Sequence, residues 1–278
     1  MFASARSALP RVAIAFSVFN AETILGVVAA VQESGEDAYF QTSASTVMTY
    51  GAAALAGMIN ALIPADVRGR IMLHLDHCDT DALFHECLKA GWDSIMIDAS
   101  SRPLAENIRR TREVVGLAKE FGALAEGEVG VVGGEEDDFE SCASSKVRST
   151  PEDVLRFIDD CGADLIAVGA GTKHGHYRQP CQVDQSLLEA VHRARPDAAL
   201  VLHGGSGIPE NQLRAAVQRG GIRKVNISTE IKDAWLGAQR AHLAGGDPHK
   251  VIAGMQSAIA AVKQTALTKM HLLASFLT

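Results

Sequence analysis

Ile71-Met72-Leu73-His74-Leu75-Asp76-His77, running on through Cys78-Asp79-Thr80-Asp81-Ala82-Leu83-Phe84-His85-Glu86-Cys87-Leu88, contains both periods from which the fold is read. Its first seven residues are a short apolar run that turns polar at its far end, which predicts a strand. Ala82, Leu83, Cys87 and Leu88 then recur at helical spacing, so a helix follows. The same alternation repeats on both sides. Further strands are predicted over Val12–Phe19, Ala38–Ser43, Ser94–Asp98, Ala123–Val129, Leu165–Gly169, Ala199–His203 and Arg223–Ile227, which with Ile71–His77 makes eight. Between them lie helical periods such as Val154, Phe157, Ile158 and Cys161. Thr150-Pro151-Glu152-Asp153 supplies an N-cap, a proline at the first helical position and acid in the first turn. Alternating strands and helices imply a parallel sheet. Eight units in a chain of this length fit a closed α/β barrel, the (β/α)8 or TIM barrel. An open dinucleotide-binding sheet would carry a Gly-rich turn after its first strand, where this chain has Asn20-Ala21-Glu22-Thr23. No linker or shift of composition divides the chain, so residues 1–278 read as a single domain with a C-terminal helical extension over about 248–278.

Composition narrows the function. Of 278 residues, 26 are basic and 33 acidic, a formal charge of −7, and 47% are hydrophobic, enough for a large core and too many for wholesale disorder. The longest apolar runs, Ile24–Val31 and Gly51–Ile59, fall far short of the ~20 residues of a membrane helix. The stretch from Arg6 through Pro10 into Val12 reads as the approach to a first strand and not as a leader. Five cysteines without a Cys-x-x-Cys pair fit a reducing, cytoplasmic setting. An acidic chain with no basic stripe has neither a nucleic acid nor a membrane surface as its expected partner. A small-molecule site is expected instead.

Polar and ionisable residues collect where the strands end. Asn20, Ser43, Asp76, His77, Asp98, Glu128, His174, His203 and Asn226 lie at or just past the carboxyl ends, which a barrel gathers on one face. His77, His174 and His203 come from three different strands. Three imidazoles leave a fourth position of a tetrahedral zinc open to substrate. Spacing puts His74 on the opposite strand face from His77, so it reads as a structural histidine of the barrel wall. His176 is retained only as a substrate-edge candidate. Asp76, beside His77, is a proton-transfer candidate. Asp98 and Glu128 are placed either to hold a second cation or to hydrogen-bond the histidines. Roughly twenty residues separate Val129 from Pro151, an unusually long connection, and Glu135 and Glu136 ride on it beside Gly133-Gly134. His203-Gly204-Gly205-Ser206-Gly207 and Asn226-Ile227-Ser228-Thr229 end the last two strands, where barrels commonly bind phosphate.

These residues resemble the class II, zinc-dependent ketose-bisphosphate aldolases, the fructose- and tagatose-bisphosphate branch in particular. Leu73-His74-Leu75-Asp76-His77, Met96-Ile97-Asp98-Ala99-Ser100, Glu126-Gly127-Glu128 with Gly133-Gly134-Glu135-Glu136-Asp137, Gly171-Thr172-Lys173-His174-Gly175, Leu202-His203-Gly204-Gly205-Ser206-Gly207 and Asn226-Ile227-Ser228-Thr229 match in order between Val12 and Trp235. The resemblance implies a catalytic zinc on His77, His174 and His203, with Asp76 as acid/base at the aldehyde oxygen and Glu136 as the base on a mobile loop. It implies a second metal at Asp98 and Glu128, and a substrate and phosphate cradle of Asn20, Ser43, Gly175, Gly204, Ser206, Asn226, Ser228 and Thr229 that also admits a monovalent cation. The expected reaction is reversible cleavage of a ketose 1-phosphate or 1,6-bisphosphate to dihydroxyacetone phosphate and an aldehyde through a zinc-stabilised enediolate, by a homodimer or homotetramer. Three departures bear on the substrate: Ser17 replaces the first asparagine of the family's Ala-Phe-Asn-x-x-Asn, Lys173 replaces a small residue, and no arginine follows Arg240 to hold a second phosphate. Two other readings compete, a zinc hydrolase on the same barrel and a non-catalytic aldolase-like partner subunit. The first lacks its His-x-His pair on an early strand, and the second has no need of all three histidines together with Asp76 and Glu136.

Overall fold

The computed structural model describes residues 12–133, 135–136, 139–140, 149–177, 179–245 and 247–277, with the backbone only for 135–136 and 139–140. In the barrel run β1 (Ala13–Ser17), β2 (Ala38–Ser43), β3 (Ile71–Cys78), β4 (Ser94–Ile97) and β5 (Leu124–Val129). A two-stranded hairpin, β6 (Glu135–Glu136) and β7 (Phe139–Glu140), interrupts the series before β8 (Leu165–Val168), β9 (Leu200–Leu202) and β10 (Ile222–Ile227). The eight barrel strands close in the order β1-β10-β9-β8-β5-β4-β3-β2, all parallel. The eight expected strands are the eight observed. The hairpin on the long connection, set apart as an antiparallel pair, was not expected.

Helices α1 (Ala21–Ser34), α2 (Ala44–Tyr50), α3 (Ala52–Leu62), α4 (Asp81–Ala90), α5 (Leu104–Glu120), α6 (Pro151–Cys161), α7 (Gln185–Ala194), α8 (Glu210–Gln218), α9 (Thr229–Gly245) and α10 (Val251–Ala274) connect and surround the strands. Their ends follow local chemistry. Thr150 caps α6 by accepting from the Asp153 N–H at 3.2 Å, with Pro151 at the first helical position. Gly91 closes α4 at φ 98°, a left-handed conformation that glycine adopts without a Cβ penalty. The C-terminal helix is shorter than the expected 248–278, spanning Val251–Ala274, with residue 278 outside the described set, and a separate 17-residue helix α9 precedes it.

Strand alternation sorts the side chains into two environments. Ile14, Phe16, Phe40, Leu73, Leu75, Ile95, Ile97, Val225 and Ile227 face outward into one continuous core beneath the helices. The inward set includes His74, Asp76, Glu126, Lys224 and Asn226, every one of them buried. Small apolar groups, Ala13, Ala15 and Tyr39 on one side and Met96, Leu165, Ala167 and Val201 on the other, complete the interior. The barrel is therefore packed with hydrocarbon outside and held by polar contacts along much of its axis.

Helix α10 lies against α1, and the contact depends on Gly26, where a Cβ would come within 2.6 Å of Val262 Cγ1 and 3.0 Å of the Ile259 carbonyl oxygen. Gly116, exposed in mid-α5, has nothing within 4 Å. The same substitution should therefore act with opposite sign at the two sites. Gly26→Ala is expected to destabilise by about 1–3 kcal/mol through overpacking. Gly116→Ala is expected to stabilise by about 0.5–1 kcal/mol through helix propensity. Urea unfolding of both variants checks the pair.

Candidate active site and metal centre

The mouth at the carboxyl ends of the strands is built around three rings. His77 is the penultimate residue of β3, and among the described residues it is the one non-glycine with positive φ, 40°. That turn, with a register shift against β4 between Leu75 and Cys78, breaks the strand's alternation. His74 is the structural histidine of the barrel wall that was expected, buried and facing the barrel interior with Asp76. His174 lies on the loop after β8, where its N–H donates to the Gly133 carbonyl at 2.7 Å. His203 follows β9 directly and is fully buried. The ring centroids stand 4.6 Å (His77–His203), 4.9 Å (His77–His174) and 5.9 Å (His174–His203) apart, each pair close to perpendicular.

Hydrogen bonding fixes which nitrogens face the centre. His77 Nδ1 lies 2.9 Å from Asp98 Oδ2, and His203 Nε2 lies 2.8 Å from Glu126 Oε1. A carboxylate accepts, so each of those nitrogens is the N–H donor. The opposite nitrogens, His77 Nε2 and His203 Nδ1, face each other at 2.8 Å. In neutral rings these are two lone pairs in contact, which only a shared proton or a cation between them relieves. Carboxylates that orient histidines while leaving the other nitrogen free are the usual surroundings of a metal ligand. One atom from each of His77, His174 and His203 lies within 4.8 Å of the others, and a second such group is His77, Asp98 and Glu128.

The electrostatics also favour positive charge. Burial alone would lower the His77 pKa, but the Asp76, Asp98 and Glu128 carboxylates prevail and raise it well above its ordinary value. Burial would raise Asp98, yet the hydrogen bond and charge of His77, with the Ser100 hydroxyl and N–H, hold it well below the usual carboxylate range. Glu128 is driven well upward by burial and by the Asp98 charge. Its Oε1 accepts from the Val132 N–H at 3.3 Å, while Oε2 is buried without a hydrogen bond. Three carboxylates around imidazole nitrogens that face one another are a donor set suited to a divalent cation. Asp76 belongs to neither group. It is 3% exposed and accepts from Asn226 Nδ2 at 3.2 Å.

Below the rings lies an ionic relay that the sequence reading missed. Lys224 Nζ stands 2.7 Å from Glu126 Oε2 and 3.2 Å from His74 Nε2, all three side chains being buried. Burial and the Lys224 charge lower the His74 pKa well below its ordinary value, so His74 is neutral. Its Nε2 accepts from Lys224, and its Nδ1–H therefore donates to Ser94 Oγ at 2.9 Å. The available signal was Lys224 itself, a lysine two residues from Asn226 in the same strand, with the apolar Val225 between them.

The other expected site residues divide. Gly204, at φ 63°, passes so close to the loop after β8 that a Cβ would collide with the Lys173 carbonyl oxygen. Tyr177 fastens this approach, its hydroxyl donating to the Gly204 carbonyl at 2.9 Å and accepting from the Lys173 N–H at 3.0 Å. Gly205 N–H donates to the Asn226 carbonyl at 2.9 Å, bringing the two glycine- and hydroxyl-bearing loops side by side. Ser206 is buried, and Ser228 Oγ is buried without a hydrogen bond. Gly175, with φ 78°, follows His174 on the same loop. Asn20 and Ser43 serve locally: Asn20 Oδ1 caps α1 by accepting from the Thr23 N–H at 2.9 Å, and Ser43 caps α2. The backbone of Glu136 lies in the β6–β7 hairpin and its side chain is outside the described residues, as are Gly134 and Asp137. His176 is exposed and pairs with Asp233 at 3.4 Å. As for the departures, Ser17 accepts from Gln41 Nε2 at 2.8 Å, and the Lys173 ammonium stands 5.5 Å from the Tyr177 ring centroid. Beside the β1 and β2 ends, a cavity of about 470 Å³ opens among Phe19, Thr46, Thr49, Lys232 and Trp235.

A closed parallel barrel with histidines, carboxylates and glycine loops gathered at one mouth is the architecture of a barrel enzyme. Comparison with known proteins makes this specific. The family model described as "Fructose-bisphosphate aldolase class-II" matches residues 3–276, and the chain belongs to that family. A sulfofructosephosphate aldolase of Alkalicoccus urumqiensis is 30% identical over 259 residues, covering 90% of this chain and 88% of the relative. The crystal structure of the YdjI aldolase from Escherichia coli K12 superposes with a TM-score of 0.80 at 26% identity, over 95% of this chain and 92% of that one. A Coccidioides immitis structure described as a fructose-1,6-biphosphate aldolase gives 0.85 at 25% identity, over 95% and 91%. The protein is thus an aldolase, a carbon–carbon lyase of a family generally dependent on zinc and acting on phosphorylated sugars. Among the described residues no helix is long and apolar enough to cross a membrane.

The relay yields a prediction. Lys224→Met leaves Glu126 buried without its cation and is expected to cost about 3–5 kcal/mol. Glu126→Gln combined with Lys224→Met should recover most of that loss. Denaturant titration of the two proteins tests it, and equal losses would show that the charge is not what matters.

Proposed function

We propose that this aldolase reversibly cleaves a ketose 1-phosphate or 1,6-bisphosphate to dihydroxyacetone phosphate and an aldehyde, with zinc held by His77, His174 and His203. The observation that carries the reading is the facing pair His77 Nε2 and His203 Nδ1, 2.8 Å apart, with His174 adjacent and Asp76 buried alongside. Zinc bound there supplies Lewis acidity to the ketone oxygen and its neighbouring hydroxyl. Asp98 and Glu128 provide for a second divalent cation, and the main chain of the phosphate loops for a monovalent one.

The chain's own groups carry the proton transfers. In cleavage Asp76 takes the proton of the C4 hydroxyl as that oxygen becomes the aldehyde carbonyl and the C3–C4 bond breaks. Glu136 returns a proton to C3 of the departing ketone fragment, and synthesis runs the same steps backward. The substrate phosphate sits against Gly175, Gly204, Ser206, Ser228 and Thr229, with Asn226 between it and Asp76. The aldehyde portion extends past Asn20 and Ser43 toward the cavity of Phe19, Thr46, Lys232 and Trp235. Fructose and tagatose bisphosphates head the candidates. The sulfofructosephosphate relative and the lack of an arginine after Arg240 add a 1-phosphate whose far end carries some other group. The working protein is read as one barrel domain over residues 1–278, a cytoplasmic homodimer or homotetramer.

The first test is coupled detection of dihydroxyacetone phosphate released from fructose, tagatose and sulfofructose phosphates by native, chelator-treated and zinc-restored protein. Chelation should abolish release and zinc restore it. Release that survives complete metal removal would overturn the metal assignment. Asp76→Ala should keep its zinc and lose at least about 100-fold in turnover, the scale of general acid–base catalysis. Loss of the metal in that variant would instead make Asp76 a ligand. Glu136→Ala should keep its fold but stop solvent exchange of the dihydroxyacetone phosphate proton, and unchanged exchange would remove it as the base.

A further inference from the structure

We propose that Glu230 and Lys269 form a positioning pair that ties the C-terminal helix to the phosphate loops and keeps them electrically receptive to a dianion. The inference rests on the reading that these loops hold the substrate phosphate. Glu230 lies in the first turn of α9, one residue after Thr229. Its Oε1 accepts from the Gly207 N–H at 2.8 Å, and its own N–H donates to Ser206 Oγ at 3.3 Å. Side chain and main chain of one residue thus hold the loop after β9 against the start of the helix after β10. Its second oxygen, Oε2, lies 2.8 Å from Lys269 Nζ, which arrives from α10. The pair is only partly exposed, 25% for Glu230 and 16% for Lys269.

The arrangement is otherwise unfavourable for the proposed ligand. An acid in the first turn suits the helix dipole, but it places a negative charge at a loop that must accept a doubly negative phosphate. The glycine loop gains its shape from that carboxylate and would lose affinity through its charge. Lys269 removes the conflict by neutralising Glu230 without taking its Gly207 bond. The C-terminal helix therefore supplies a charge that the phosphate site requires, besides covering α1.

The pair makes its own prediction about variants. Lys269→Met leaves the carboxylate uncompensated. It should raise the KM for the ketose phosphate and the inhibition constant of inorganic phosphate by about five- to tenfold, the effect of one partly screened charge, with kcat within about twofold. In Lys269→Met/Glu230→Gln no charge remains, and the Gln oxygen can still accept from Gly207, so both constants should return to within about twofold of native. Thermal unfolding of the three proteins is recorded alongside. Failure of the double variant to recover phosphate binding, or an unchanged constant in Lys269→Met, would overturn the proposal, since a lysine that merely anchors α10 is not rescued by neutralising Glu230. If native protein cleaves its sugar but inorganic phosphate does not compete, the reading of the loops as the phosphate site fails, and the pairing proposal fails with it.

Discussion

The buried contact between Lys224 and Glu126 sets the arrangement of the barrel's upper interior. A carboxylate and an ammonium taken out of water are tolerated only when each is fully engaged, and here both are. Glu126 gives one oxygen to Lys224 and the other to His203, while Lys224 divides itself between Glu126 and His74. Four side chains from β3, β5, β10 and the end of β9 are thereby fixed against one another across the barrel. Hydrophobic packing of the outer shell would close the sheet without them. It would not decide which way the His203 ring turns.

That orientation governs the site. Because Glu126 claims Nε2 of His203, Nδ1 is the atom turned to the centre, and because Asp98 claims Nδ1 of His77, Nε2 is the atom that meets it. The two rings are held from behind by carboxylates on different strands, so their approach is set before any ligand arrives. Two nitrogens held 2.8 Å apart share a proton, and a cation between them would take that proton's place. The positive φ of His77 belongs to the same device. A regular strand would have sent that ring toward the helices, and the 40° turn directs it to the mouth.

Much of this was legible in the chain. The strands are short runs between recognisable turns, and parallel pairing with outward apolar residues leaves them little freedom of type or order. His77, His174 and His203 could be selected because strand ends in a barrel share one face, a property of topology that sequence order alone conveys. What escaped the reading has a physical reason in each case. Lys224 looks like a surface lysine unless the neighbouring strands are known to bring Glu126 and His74 across the interior. Strict alternation separates His74 from His77 but does not show that His77 reaches the mouth only through its positive-φ turn, while His74 stays in the interior with Lys224. The β6–β7 hairpin is too short for any period to register. The capping duty of Asn20 and Ser43 was likewise not read: both stand at strand ends like the others, and their side chains also accept from helix N–H groups.

The two departures nearest the site are each taken up by a neighbouring side chain. Ser17 is shorter than the asparagine it replaces, and Gln41 from the neighbouring β2 extends to it at 2.8 Å, so the position stays polar and connected while the hydrogen-bonding atoms move. Lys173 adds a cation to the loop that bears His174, but its ammonium stands over the Tyr177 ring, whose hydroxyl pins that loop to Gly204. In both cases the altered side chain is held by an adjacent one, and the histidines keep their supports. Ser17 and the cavity lie along the β1 and β2 side of the mouth, while the Glu126 and Asp98 contacts that aim the rings come from β5 and the end of β4. The supports of His77 and His203 and the β1–β2 side of the mouth are thus built from different elements, so a change on one side need not disturb the other.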